Sequence, residues 1–333
     1  MDERYAARVA AEERIYRDNV NVHDLPAIFH YWSHTYLLPL CLECGFSSPN
    51  AFFQRYLAEA AARCDTVLPE FVSIGAGNCD TEIAVATLLR DGGMRDFTIE
   101  CLELNQAMLD RGSEAAERAG VAQHLRFTQA DFNTWEPTHR YHAAMASHSL
   151  HHVVNLEGLF DAVRGALHPR GYFVISDIVG RNGHQRWPEA LNAVQRFWEE
   201  LPPQYRYNHA LKRYEETYEN WDCATEGFEG IRAQDIMPLL LERFEFALFL
   251  GFSNVITIFT DRAFGHNFDA AREWDRAFID RVQAFDEAAI RAGTLTPCQM
   301  FAVLTTSEPE RRLYARGVPP ERAVHPSVRS VRA

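Results

Sequence analysis

The sequence predicts an α/β protein: a seven-stranded, mostly parallel sheet, a helical cap before it, and an aromatic-rich insert. Three observations carry this reading. No strand-like run precedes residue 68, and from there short apolar runs alternate with amphipathic stretches, as in a parallel sheet covered by helices. A Gly-x-Gly turn follows the first apolar run. The alternation then lapses over residues 181–230, where nine aromatics gather, and two more strand-like runs come after it.

Residues 1–67 read as the helical cap, or as an extra layer on the sheet. Its best segment starts at Asp24 as N-cap, with Pro26 in the first turn, where a missing N–H costs nothing. Leu25, Phe29, Trp32 and Tyr36 form an apolar stripe until Pro39 disturbs it. Residues 68–180 form the core. Its strands are expected at Phe71–Ile74, Phe97–Leu102, Leu125–Thr128, Ala143–Ser147 and Tyr172–Ile175, with helices at Thr81–Leu89, Asn105–Ala119 and Leu156–Leu167. Pro169-Arg170-Gly171 reads as a turn into the fifth strand. Residues 181–230 are the insert. Residues 231–306 return to the core with strands at Phe244–Leu250 and Gln299–Thr305, and a helix striped by Trp274, Phe278, Val282, Phe285 and Ala289 between them. Residues 307–333, rich in arginine and proline, read as a loose basic tail.

Composition narrows the function classes. The chain has 333 residues and a net charge of −13, which repels a phosphate backbone and disfavours nucleic acid as partner. No run of about 18 apolar residues suggests a membrane span, and Met1-Asp2-Glu3-Arg4 lacks the order of a signal peptide. A cytoplasmic protein is expected. Its seven cysteines are scattered rather than arranged as a disulfide framework, and Cys41-x-x-Cys44 has no second pair at zinc-site spacing. Lys212 is the sole lysine, a usage that suggests a GC-rich bacterial coding sequence.

The chemistry concentrates at the expected strand ends. Ser73-Ile74-Gly75-Ala76-Gly77-Asn78-Cys79-Asp80 takes a strand through two glycines into a helix, whose N-terminus offers free N–H groups. A dinucleotide fingerprint needs a third glycine where Asp80 stands, which argues against a nicotinamide cofactor and for a nucleoside without a pyrophosphate. Glu103, followed by Leu104, ends the second strand, where a carboxylate can accept from a ribose diol. Asp131 ends the third and can accept from an adenine amino group while Phe132 covers the ring. Alternatively both acids only favour a helix N-terminus.

Through these motifs the chain resembles the class I S-adenosylmethionine (SAM)-dependent methyltransferases, of Rossmann-like fold, over about residues 68–180. The resemblance rests on Ile74-Gly75-Ala76-Gly77, on Glu103 with Asn105 and Met108-Leu109, on Ala130-Asp131, and on Ser147-His148-Ser149-Leu150-His151-His152. It implies SAM as cofactor, held by Ser73, Gly75, Ala76, Gly77, Asp80, Glu103, Leu104, Asp131, Phe132, His148 and Ser149. The family's usual acid two residues before the first glycine is here Ser73, so the contact to the methionine amino group shifts to Asp80, Glu82 or the cap.

His151 and His152 are the candidate general bases, since histidine titrates near neutrality. No metal is expected, because no carboxylate stands in register beside these histidines. The acceptor is expected to be a small molecule seated by Tyr31 and His34 of the cap and Tyr207 and Tyr214 of the insert, since a phenol combines an apolar face with a polar tip. A second copy of the chain is left open as a partner. The rival readings are a nicotinamide-dependent oxidoreductase and a non-catalytic scaffold of the same fold.

Overall fold

The structure, a computed structural model, describes residues 3–18, 25–225 and 227–329. Asp24, the expected N-cap, lies outside them. The N-terminal region folds into α1 (Glu3–Asp18), α2 (Ala27–Trp32), α3 (Leu38–Glu43) and α4 (Pro49–Arg63). A π-helical turn, Ser33–Leu37, joins α2 to α3. It shifts the register of the apolar stripe, so Trp32 is buried while Tyr36 is only partly covered. Ser48 caps α4 by accepting from the Ala51 N–H at 3.1 Å, and Pro49 follows in the first turn.

The core contains β1 (Glu70–Ile74), α5 (Asp80–Asp91), β2 (Thr98–Glu103), α6 (Gln106–Ala119), β3 (Leu125–Gln129), β4 (Tyr141–Ser147), α7 (Leu156–Ala166) and β5 (Leu167–Ile178). The insert adds α8 (Pro188–Glu200) and a two-residue hairpin, β6 (Tyr207–Asn208) with β7 (Arg213–Tyr214). Then come α9 (Ala233–Arg243), β8 (Glu245–Phe252), α10 (Ile256–Thr260), α11 (Glu273–Ala292), β9 (Gln299–Thr305), β10 (Leu313–Tyr314) and α12 (Pro326–Arg329). The main sheet runs β10-β8-β9-β5-β4-β1-β2-β3. It is parallel except where β9 pairs antiparallel with β5 and β8.

Three expectations are corrected. The sheet has eight strands among the described residues rather than seven, because Leu313–Tyr314 pairs parallel with β8. The segment read as a loose tail is therefore attached as far as it is described, with Ala315, Val318, Ala323, Val324 and Val328 buried. Pro169-Arg170-Gly171 does not precede β5 but lies inside it. The register slips there, from Tyr141 opposite Leu167 to Ala143 opposite Tyr172, which lets the proline avoid a ladder bond.

The sheet separates two apolar layers. On one face, Phe71, Cys101, Met145 and Val174 pack with α4, α5, α8 and α11; on the other, Val72, Leu102, Ala146 and Ile175 pack with α7 and α9. The N-terminal α4 is thus an added layer on one face, with Phe52 and Phe301 at 5.1 Å between ring centres. The carboxyl ends of β1 to β4 are left to the loops and the insert. No helix among the described residues is long and apolar enough to cross a membrane.

Candidate functional site

The first strand ends in a loop with three left-handed residues: Gly75 (φ 67°), Gly77 (φ 56°) and Cys79 (φ 60°). Gly75 needs its missing side chain for a second reason, since a Cβ there would lie 2.6 Å from the Ser149 Cβ. The Ala76 N–H donates to the Leu102 carbonyl at 2.9 Å, tying the loop to β2. The Gly77 N–H donates to Glu103 Oε2 and the Asn105 N–H to Glu103 Oε1, both at 2.9 Å. One carboxylate therefore fixes two strand ends at once. Burial raises the Glu103 pKa, against the pull of the N–H groups of Asn105, Gly77 and Leu104. Each carboxylate oxygen still has a second lone pair for a diol. Leu104 is half-buried, and its carbonyl accepts from Gln129 at 3.1 Å.

Ser73 does not face the loop's open side, as expected of a cofactor contact. It is buried, and its hydroxyl donates to Glu82 Oε1 at 2.6 Å. Glu82, in the first turn of α5, is buried too, and its Oε2 meets no hydrogen-bond partner among the described residues. The acid missing from position 73 is thus delivered beside it from the next helix. Asp80, two residues earlier in the same turn, is exposed.

Burial pushes the Glu82 carboxyl up to about 7, against the Ser73 hydrogen bond that lowers it. The folded group keeps its proton to higher pH than the ordinary 4.5, so folding stability declines as pH rises between 4.5 and about 7. Glu82→Gln is expected to remove that decline, which is worth at most about 3 kcal/mol. The melting temperature of the variant relative to wild type should therefore rise from about pH 5 to about pH 8. Parallel pH profiles for the two proteins would refute the assignment.

At the third strand end, both oxygens of Asp131 accept from the Tyr5 hydroxyl, at 2.8 and 2.7 Å. Tyr5 belongs to α1, and its ring lies 5.5 Å from that of Phe228. Arg8, one turn on, donates to the carbonyls of Ala224 and Gly227. In this state α1 closes over the group expected to receive adenine and ties it to the insert. Phe132 is buried, 3.7 Å from where a side chain on Gly75 would begin.

The fourth strand end carries the histidines. His148 is left-handed (φ 51°), and its N–H donates to the Ser176 carbonyl at 2.7 Å. His148 is exposed, and the protein around its ring lowers its pKa by desolvation, against the pull of Asp177. Ser149, expected at the cofactor, is buried instead, its hydroxyl donating to the Ile74 carbonyl at 2.6 Å. Asp177, at the end of β5, accepts from the N–H groups of Ser149 (3.0 Å), Leu150 (2.8 Å) and Ile178 (2.7 Å) and faces His151 Nδ1 at 2.5 Å.

The other nitrogen of His151 faces Glu229 at 3.5 Å. Glu229, from the insert, also meets His152 Nε2 at 3.3 Å and His184 Nε2 at 2.7 Å. Burial alone would lower the His151 pKa, but Asp177 and Glu229 raise it to about 10. His151, expected as a general base, is thus held between two carboxylates, Asp177 on Nδ1 and Glu229 on Nε2. Glu229 is held well below the usual carboxylate range: burial opposes this, and the bonds and charges of the histidines prevail.

Sequence reasoning missed Asp177, His184 and Glu229 as site residues. Asp177 had one signal, its place at a strand's carboxyl end. His184 and Glu229 had none, since only the folding of the insert brings them to residues 151 and 152.

The residues expected around the acceptor make contacts of their own. Tyr31 donates to Asp280 Oδ1 of α11 at 2.8 Å, and Tyr36 to the same oxygen at 2.7 Å. His34 is exposed. Tyr207 and Tyr214 face each other across the β6–β7 hairpin with ring centres 5.0 Å apart, and Tyr214 is 69% exposed. Much of the insert's aromatic excess serves packing: Trp198 lies against Tyr218, Phe259 and Phe264, and Phe197 against Phe259, Phe278 and Phe285.

A glycine loop, an acid at the second strand end and another at the third thus stand together at the carboxyl ends of neighbouring parallel strands. Residues 73–175 match the family model of the methyltransferase domain. The core of this chain is a SAM-dependent methyltransferase domain. No curated protein matches the sequence. Similar solved structures include an O-methyltransferase from a trans-AT PKS multienzyme of Brevibacillus brevis in complex with S-adenosyl-L-homocysteine. It is 11% identical, with 86% of this chain and 84% of that one covered and a TM-score of 0.44. A geranyl diphosphate C-methyltransferase from Streptomyces coelicolor A3(2) is 10% identical, with 90% and 98% covered and a TM-score of 0.45. In this methyltransferase domain the loop from Gly75 to Cys79 lies beside the carboxyl ends of β2 and β4.

Proposed function

We propose that the chain methylates a small-molecule acceptor, at oxygen, nitrogen or carbon, in bacterial secondary or specialised metabolism. The observation that supports this best is Glu103, whose two oxygens lock the glycine loop to the end of β2 and keep lone pairs for a ribose. In this reading the backbone from Gly75 to Gly77 carries the methionine part of SAM. Asp131 and Phe132 take the adenine once Tyr5 withdraws. His148 borders the methyl group, and the insert, residues 181–230, covers the acceptor. The net charge of −13 and the closed N-terminal helix fit a soluble acceptor better than nucleic acid. A cytoplasmic location is part of the proposal.

Methyl transfer asks for alignment more than for acid–base chemistry. The acceptor's lone pair forms a bond to the methyl carbon as the sulfur–carbon bond breaks, and a neutral thioether leaves. The chain's part is to bring the acceptor in line behind the methyl and exclude water. His151 and His152 shape the acceptor side of that cleft through their hold on Glu229.

The test is isothermal titration with SAM and with NAD, then mass spectrometry of products from SAM and candidate acceptors. SAM binding with a methylated product supports the reading, and NAD binding in its place refutes it. Glu103→Gln keeps the shape of the side chain but loses the charge. It is expected to weaken SAM binding by about 1.5–3 kcal/mol in a folded protein. Unchanged affinity would show that Glu103 only braces the loop.

A further inference from the structure

Three imidazoles and two carboxylates converge where the insert meets the end of β4. We propose that His151, His152 and Glu229 form a site for one divalent transition-metal cation of the zinc, cobalt or ferrous class, with a coordination position left open.

The geometry carries it. One nitrogen from each histidine and one oxygen of Glu229 all lie within 4.8 Å of one another. His152 Nε2 is 3.3 Å and His151 Nε2 3.5 Å from the Glu229 oxygens. Tetrahedral ligands about 2.1 Å from a zinc-like ion stand about 3.4 Å apart, close to the two histidine–carboxylate separations, and the set as a whole, within 4.8 Å, draws together on binding. Two imidazoles and a carboxylate suit such ions better than magnesium or calcium, which prefer oxygen alone.

The surroundings are those of a supported site. Asp177 faces His151 Nδ1 at 2.5 Å and is fixed by three backbone N–H groups. That pairing fixes the His151 ring with Nε2 towards Glu229, the nitrogen at which a cation would take the place of a proton. His184, 2.7 Å from Glu229, is a positioning residue that orients the carboxylate. A cation that displaces the proton from His151 Nε2 leaves neutral imidazoles, and one dication then offsets the two negative charges of Asp177 and Glu229.

Neighbouring side chains also show why the site is open. His151 is buried, whereas the Glu229 side chain is 38% exposed, so the cluster is reached by solvent from the Glu229 side. Three protein ligands with an accessible fourth position are the arrangement of sites that bind a water or a substrate atom. The expectation of no metal rested on local sequence, where no carboxylate is in register. The structure supplies that carboxylate from residue 229.

The competing explanation is that the same groups merely clasp the insert to the core by ion pairs, and metal binding separates the two. The untagged full chain, stripped with a chelator, is titrated with Co²⁺ and then Zn²⁺, without SAM, so the outcome does not depend on the methyltransferase reading. One equivalent of Co²⁺ with visible d–d absorption, displaced by Zn²⁺, is expected. Glu229→Gln and His152→Gln should each lower Co²⁺ affinity at least a hundredfold, and His184→Gln about tenfold. A wild-type protein without stoichiometric Co²⁺ or Zn²⁺ binding overturns the proposal. So does binding that persists unchanged in the folded Glu229→Gln and His152→Gln proteins, which would mark it as surface binding. If a variant fails to fold, the wild-type spectrum decides, because a clasp without a metal shows no d–d bands.

Discussion

Gly75→Val and Gly77→Val should each reduce SAM affinity at least a hundredfold, but the first should cost the fold more stability than the second. Both positions hold positive φ (67° and 56°), where a side chain costs about 1–2 kcal/mol and a branched one more. Their surroundings differ. A Cβ on Gly75 would stand 2.6 Å from the Cβ of Ser149. Ser149 cannot retreat easily, because its N–H is held by Asp177 and its hydroxyl by the Ile74 carbonyl. Overpacking there adds roughly 1–3 kcal/mol to the backbone strain. A Cβ on Gly77 would meet only the flexible end of Met108, at 3.4 Å. Gly77→Val therefore carries the backbone strain without the overpacking, and so loses less stability than Gly75→Val, while placing a branched side chain where backbone must approach the cofactor. Urea unfolding and titration calorimetry with SAM, run on both variants, separate the effects. Full SAM affinity in Gly77→Val would mean that the loop only connects β1 to α5.

The contrast between these glycines also shows what could be read from sequence. That the loop turns and approaches a ligand follows from Gly-x-Gly between an apolar run and a helix, and the strand ends at Glu103 and Gln129 fall within a residue or so of expectation. Parallel strands buried on both faces read as apolar runs, and their ends are marked by the first polar residue. That Gly75 rests on Ser149 could not be read, because the contact joins residues far apart in sequence. The same holds for the site. Glu103 and Asp131 sit at strand ends and were legible, whereas Glu82 reaching Ser73, Tyr5 reaching Asp131 and Glu229 reaching three histidines are products of tertiary packing. The packing of the aromatics was illegible for a related reason. Tyr31, Tyr207 and Tyr214 look like pocket residues by chemistry, but a tyrosine serves equally well as a packing element with its hydroxyl on a nearby carboxylate, as Tyr31 does with Asp280. Neither the π-turn at Ser33–Leu37 nor the two-residue β10 leaves a periodic signal to find.

Asp177→Ala should cost the protein about 3–5 kcal/mol of folding stability, the range for removing one member of a buried charged pair. Asp177 is 1% exposed and binds four donors: three backbone N–H groups, at Ser149, Leu150 and Ile178, and the His151 ring. Alanine leaves those donors buried without an acceptor, each at a cost that water would otherwise spare. Asp177→Asn is expected to do nearly as much harm despite its matching shape. Its amide NH₂ must face either the N–H groups of Ser149 and Leu150 or the His151 ring and the Ile178 N–H, so one pair meets a donor where it needs an acceptor. Asp280→Ala is the comparison, since Asp280 accepts from two tyrosine hydroxyls that are only partly buried and can turn to water. A loss of about 1 kcal/mol is expected there. With a total stability of about 5–15 kcal/mol typical of a folded domain, the Asp177 variants should unfold at clearly lower urea than wild type, with an unchanged slope. A cost below about 1 kcal/mol for Asp177→Ala would show that the turn from His148 to His152 holds itself in place. A large cost would instead identify Asp177 as the group that fixes that turn, and with it the direction in which His148, His151 and His152 enter the cleft.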